Sequence, residues 1–106
     1  MMFQMKKKIY TINEIKEKVR PVLEKSPVVK AILFGSYAQG TATSQSDIDL
    51  FIDSNGVLKG LAFYGVLESL VEATEKVIDL IEKQEIITGA LIEQEIYDSG
   101  VVIYEK

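Results

Sequence analysis

Three aspartates carry the strongest chemical signal in the chain. Asp47 and Asp49 lie in the stretch Asp47 to Asp53, where Ile48, Leu50 and Ile52 alternate with Asp47, Asp49, Phe51 and Asp53. Strand side chains repeat every second residue, so both acids fall on one face of one strand. Their backbones stand roughly 7 Å apart, and the carboxylate tips can converge on one or two cations. Two ions about 3.5–4 Å apart can clamp an in-line phosphoryl displacement. The plainer alternative is a solvated face of an edge strand. Asp is depleted in strands, however, and like charges on one face repel, so the pair calls for a cation or a shifted pKa. Asp79 stands among Val77, Ile78, Leu80 and Ile81, where an unpartnered carboxylate is costly to bury. Alone it reads as the exposed face of an edge strand. Together with Asp47 and Asp49 it reads as a third metal ligand from a neighbouring strand. Gly35-Ser36 is the remaining piece. A strand ending in Gly, with Ser opening a helical turn, offers free N–H groups and a hydroxyl suited to a phosphate. Alone, that dipeptide is only a turn.

Composition narrows the chemistry further. The 106 residues contain neither cysteine nor histidine. This excludes disulfides, thiolate nucleophiles, iron–sulfur clusters, Cys- or His-bound zinc, imidazole bases and Ser-His-Asp triads. Carboxylates, lysines, hydroxyls or a hard oxygen-liganded metal must carry any polar chemistry. The net charge of −4 argues against a general nucleic-acid binder. The longest clearly apolar run, Leu61 to Leu67, is too short for a membrane span. No apolar stretch of signal-peptide length follows the early lysines. A cytoplasmic protein is the expectation. An EF-hand reading of Asp47, Asp49 and Asp53 fails, because Leu50, Phe51 and Ile52 replace the polar or flexible loop positions and the sixth position is not Gly. A Walker loop fails because Gly40 is not followed by Lys-Ser or Lys-Thr.

The elements that must position these residues follow from periodicity. Met1 to Tyr10 reads as a frayed start with a short strand at Lys8 to Tyr10. Thr11 to Glu14 forms a capping box, and Ile12, Ile15, Val19, Val22 and Leu23 follow at helical spacing. Pro21 predicts a kink near Val19 or Arg20, and Ser26-Pro27 ends the helix. Val28 to Phe34 reads as a buried strand, and 36–46 as one helical turn and a loop. Asp47 to Asp53 is the second strand and Asn55-Gly56 a turn. Gly60 to Ala73 forms a helix through Phe63, Val66, Leu67, Leu70 and Val71. Lys76 to Ile81 is a third strand. Thr88 to Ser99 is a weaker helix through Leu91, Ile92 and Ile96, closed by Gly100, and Val101 to Tyr104 is a last strand. The order gives a small α/β (α+β) sandwich, a mixed β-sheet of about four strands packed with helices, and 1–106 reads as a single domain.

Gly35-Ser36, ten intervening residues, Asp47-Ile48-Asp49 and a later Asp79 together resemble the DNA-polymerase-β-like nucleotidyltransferase superfamily. More narrowly, FGSYAQGTATSQSDIDLFID is similar to the minimal nucleotidyltransferase (MNT) domain proteins. These stand alone at about this length and are often paired with a HEPN-domain partner in toxin–antitoxin systems. Pro21, the KGLAFYGVLESL helix and the GVVIYEK end fit that group, so the resemblance covers nearly the whole chain. It implies the polymerase-β palm-like fold. It implies that Gly35 and Ser36, with Gln39 and Gly40 beside them, hold the nucleotide phosphates. Asp47 and Asp49 would bind Mg²⁺ (or Mn²⁺), one ion carrying the triphosphate of ATP and the other the attacking hydroxyl. Asp79 would complete the second site and help activate that hydroxyl. The usual Gly-Ser-x-Ala-Arg-Gly carries Gln39 in place of its Arg. That departure bears on turnover and nucleotide affinity rather than on the fold.

Relatives that modify antibiotics or nucleic acids carry an extra acceptor-holding domain, and no stretch here is long enough to be one. The expectation is therefore an acceptor that is bound by a second protein, or is that protein. The reading that follows is AMP transfer from ATP to a hydroxyl, a tyrosine, on a HEPN toxin. A contact-only antitoxin is the alternative from another class, and transfer to a small molecule is the third; a homo-oligomer stays open. Leu61, Ala62 and Tyr64 lie partly outside the apolar stripe of their helix. They are candidates for a partner surface, although packing against the sheet is the plainer expectation for each.

Overall fold

Thr11 opens the first helix as its sequence requires. Its hydroxyl accepts the Glu14 N–H at 3.1 Å, and the Glu14 carboxylate accepts the Thr11 N–H at 3.0 Å. The computed structural model describes residues 7–85 and 91–106. The helix, α1 (Ile12–Glu24), continues through the exposed Pro21 as one element and buries Ile15, Val19 and Leu23. Then come β1 (Lys30–Phe34), the short helix α2 (Gly35–Gln39), β2 (Ile48–Asp53), α3 (Gly60–Thr74) and β3 (Ile78–Glu82). A 3₁₀ turn (Lys83–Glu85), α4 (Leu91–Ser99) and β4 (Val101–Glu105) complete the order.

The four strands form one mixed sheet in the order β3-β2-β1-β4. β1 pairs antiparallel with β2 and β4, while β2 and β3 run parallel. A parallel pair needs a crossover between its strands, and α3 supplies it. α1 and α3 share one face of the sheet, over Ala31, Leu33, Ile48, Leu50, Ile52, Ile78, Leu80 and Ile103. α4 covers part of the other face, where a Cβ on Gly100 would meet Ile32 Cγ2 at 2.6 Å. No helix among the described residues is long and apolar enough to cross a membrane.

Several expected boundaries move. Residues 7–10 form no strand; Tyr10 is instead buried as a single anchor, its hydroxyl donating to the Thr74 carbonyl at 2.8 Å. The first strand begins at Lys30, not Val28, although the Val29 N–H and carbonyl already bond to Asp53 and Lys106. The third begins at Ile78 and extends to Glu82. Thr88 to Ala90 of the expected last helix, and Met1 to Lys6 of the expected frayed start, lie outside the described residues. Leu91 is exposed, while Ile96 is the buried anchor of α4. Sheet packing is overturned for three residues of α3: Leu61 is 91% exposed, Tyr64 is 64% exposed, and Ala62 is exposed as well. The helix crosses the sheet near its own C-terminal half, where Leu70 and Thr74 are fully buried.

Candidate active site

The β1–α2 junction is built around a glycine. Gly35 has φ +73°, a left-handed conformation that residues with a Cβ avoid. A Cβ there would also lie 2.1 Å from Asp49 Oδ2. The close approach follows from register, since Phe34 pairs with Asp49 across β1 and β2. Phe34 is the N-cap of α2 and supplies no side-chain cap. The first turn of α2 therefore starts beside Asp49 with no side-chain cap on its N–H groups. Gly40 ends α2 at φ +77°, its N–H donating to the Ser36 carbonyl, with no atom within 4 Å of where a Cβ would stand. Its geometry is that of a helix stop, whereas Gly35 adds a close approach to the same left-handed backbone.

The carboxylates meet through the parallel pairing. Asp49 and Asp79 are direct neighbours in the β2–β3 register, on strands that run roughly 4.8 Å apart. Asp47 stands one residue before β2, exposed. Burial pushes the Asp49 carboxyl up to about 6, aided by the charge of Asp79, that of Asp47, side-chain hydrogen bonding to Asp79 and the charge of Glu95. Asp53, on the same face of β2, is drawn off by Lys83 at 3.5 Å. Crowded like charges with oxygen donors suit a hard divalent cation in kind. Among the described residues, no three acidic side chains stand close enough to enclose one ion in this conformation. The donor set fits; the closed coordination shell is not preformed.

Two residues near the site carry no sequence signal. Glu95 of α4 adds to the field on Asp49 and accepts a hydrogen bond from Gln39 Nε2 at 3.3 Å. In sequence it is one acid among Glu93, Glu95 and Asp98 on a weak helix, and only the docking of α4 against α2 singles it out. Lys76, just before β3, is fully buried, and burial lowers its pKa. Its ammonium donates to the Ser44 carbonyl at 3.3 Å. This bond ties the α2–β2 loop to the start of β3, the segments that deliver Asp47 and Asp79. A lysine before an apolar run looks like any surface lysine.

Residues 17–106 match the polymerase beta nucleotidyltransferase family. Over 42 residues the chain is 48% identical to "Putative protein adenylyltransferase MJ0435" of Methanocaldococcus jannaschii, a match that spans 40% of this chain and 45% of that relative. Over 82 residues it is 38% identical to "Putative protein adenylyltransferase MJ1379" of the same organism, covering 72% of this chain and 82% of that one. The fold is similar to a chain in a crystal structure of a toxin–antitoxin with AMP-PNP. The TM-score there is 0.74 at 25% identity, over 86% of this chain and 73% of that one.

Proposed function

The chain belongs to the polymerase β nucleotidyltransferase family, and from that premise we propose that it transfers AMP from ATP to a hydroxyl on a partner protein, with a divalent metal. The observation that carries this reading is the in-register pair Asp49 and Asp79 beside the uncapped first turn of α2. The backbone N–H groups at Gly35 and Ser36 hold the triphosphate. Asp47, Asp49 and Asp79 hold Mg²⁺ or Mn²⁺, which supplies charge neutralisation on the transferring phosphoryl group when bound. A carboxylate oxygen of Asp79 takes the proton of the attacking hydroxyl. The hydroxyl oxygen bonds to the α-phosphorus, the bond to the bridging oxygen breaks, and pyrophosphate leaves.

The acceptor we infer is a tyrosine on a HEPN-type toxin. The chain has no histidine to act as a strong neutral-pH base, and a phenol with a pKa of about 10 is the easier hydroxyl to deprotonate. The names of the relatives and the toxin–antitoxin neighbour with AMP-PNP support a protein acceptor. One observation favours a second reading, an antitoxin that acts by contact alone: Gln39 stands where the family pattern has Arg, and its amide is engaged by Glu95. Incubating both proteins with ATP and Mg²⁺ and weighing the partner by intact mass spectrometry separates them. Mass steps of one AMP, lost with Asp47→Asn, are expected. A partner that is inhibited yet never gains mass rejects transfer in favour of contact.

A further inference from the structure

A groove of about 650 Å³ runs between the first half of α3 and β3. Phe63, Tyr64 and Leu67 line one wall, and Ile78, Leu80 and Glu82 the other. The Phe63 and Tyr64 rings pack edge to face, 5.6 Å between centroids, and the exposed Leu61 lies on the same end of the helix. Against these apolar walls Glu82 is the anomaly. It is 4% exposed, and its Oε1 has no hydrogen-bond partner among the described residues. Its Oε2 meets the Gln84 N–H at 3.5 Å. Lys59 lines the groove and is exposed, yet makes no bond to that orphaned oxygen.

A buried carboxylate oxygen without a partner is costly, and a cation brought by a ligand removes the cost. The groove also follows an edge strand, because among the described residues β3 has β2 as its one neighbour in the sheet. The outer backbone groups of an edge strand are open to an extended chain. We propose that this groove docks an extended segment of the acceptor protein, which seats a lysine or arginine head group on Glu82 and so presents its hydroxyl at Asp79. This rests on the transferase reading of the site. Asp79 itself lines the groove. It precedes Glu82 by three strand positions, which sets the two side chains on opposite faces and roughly 10 Å apart along the strand. A chain paired along β3 follows the same alternation. Its basic residue and its acceptor residue therefore lie an odd number of positions apart, three in the direct register.

The test uses the intact protein and short fluorescent peptides. Each peptide carries one tyrosine, with Lys, Arg, Gln or Glu set two, three or four positions away, and binding is read by anisotropy. Peptides with a basic residue at three positions are expected to bind at least about tenfold tighter than their Gln counterparts. Glu82→Gln, which keeps shape and removes an unpaired charge, should abolish that preference while ATP affinity stays unchanged. Tyr64→Ser, at an exposed wall residue of the groove, should weaken every peptide severalfold without touching the core. Equal binding of basic and neutral peptides, a preference that survives Glu82→Gln, or no binding at all overturns the proposal. Free arginine binding as tightly as the peptides also overturns it, in favour of a small-molecule site. Basic-peptide selectivity with no AMP transfer to any partner sustains the docking surface and rejects transfer. Transfer that Glu82→Gln leaves unaltered sustains transfer and rejects the docking surface.

Discussion

The two faces of β2 follow opposite rules. Ile48, Leu50 and Ile52 are fully buried within the apolar core that α1 and α3 share. The intervening Asp49, Phe51 and Asp53 are partly exposed, and Asp49 is held against its own ionisation by burial and by Asp79, Asp47 and Glu95. One face minimises free energy by close packing; the other stores repulsion. The difference shows how a small chain keeps like charges in register. The apolar face fixes the strand so firmly that the acid face cannot relax by moving away.

The sharpest way to break that division is from the apolar side. Leu50→Ala should destabilise the protein by about 2–5 kcal/mol, the range for emptying a packed core position. Urea unfolding measures this, and the folded fraction should keep its affinity for ATP. Gly35→Ala attacks the boundary between the faces. The new Cβ meets Asp49 Oδ2 and is strained at φ +73°, so a loss of about 1–3 kcal/mol is expected, together with loss of ATP binding in calorimetry. Gly40→Ala is its control. It shares the left-handed backbone but has open space, so it should cost about 1–2 kcal/mol and leave ATP binding in place.

From the acid side the sign reverses. The folded carboxyl of Asp49 sits near 6, above its unfolded value of about 4. The folded state therefore binds this proton more tightly. The associated stability is fully present below about pH 4 and is lost as pH rises through about 6. Asp49→Asn should flatten that decline and stabilise the protein at pH 7 by about 1–2 kcal/mol, a value already reduced for solvent screening of a partly exposed group. Thermal unfolding across pH 4–8 checks it. The same variant should lose AMP transfer. The smallest effect belongs to Glu95→Gln. It removes one of the weaker charges acting on Asp49 and should change stability by less than about 0.5 kcal/mol. The carboxyl carbon of Asp49, followed by NMR titration, should shift its midpoint downward. A midpoint that stays at its original pH would show that Glu95 exerts no field there.

What could be read from the chain alone was whatever local order decides. The Thr11–Glu14 box is a contact across three residues, and it formed as its pattern predicts. The alternation from Ile48 to Asp53 placed three residues in the core and the acids opposite. Sequence spacing paired Asp47 with Asp49, and an acid amid an apolar strand marked Asp79 as their partner from a neighbouring strand, but its direct register with Asp49 is one that no local pattern encodes. Glu95, Lys76 and Glu82 carry no such local anomaly. Each is an ordinary charge until the topology supplies a neighbour or withholds one. The exposure of Leu61 and Tyr64 marks the converse gap. Helical periodicity says which residues share a stripe, not how far along the helix the sheet reaches.

Thirty positions of chain separate Asp49 from Asp79, and the crossover helix lies between them. The β1–β2 ladder closes over a short connection, whereas the parallel β2–β3 ladder waits until α3 has docked; the longer closure is the slower and more entropically demanding event. A chain emerging from the ribosome thus displays Asp49 well before its neighbour exists. Under the proposed transfer reaction, the acid pair becomes a certificate of completed folding, and a molecule whose outer strand has not yet closed would be chemically silent rather than misdirected.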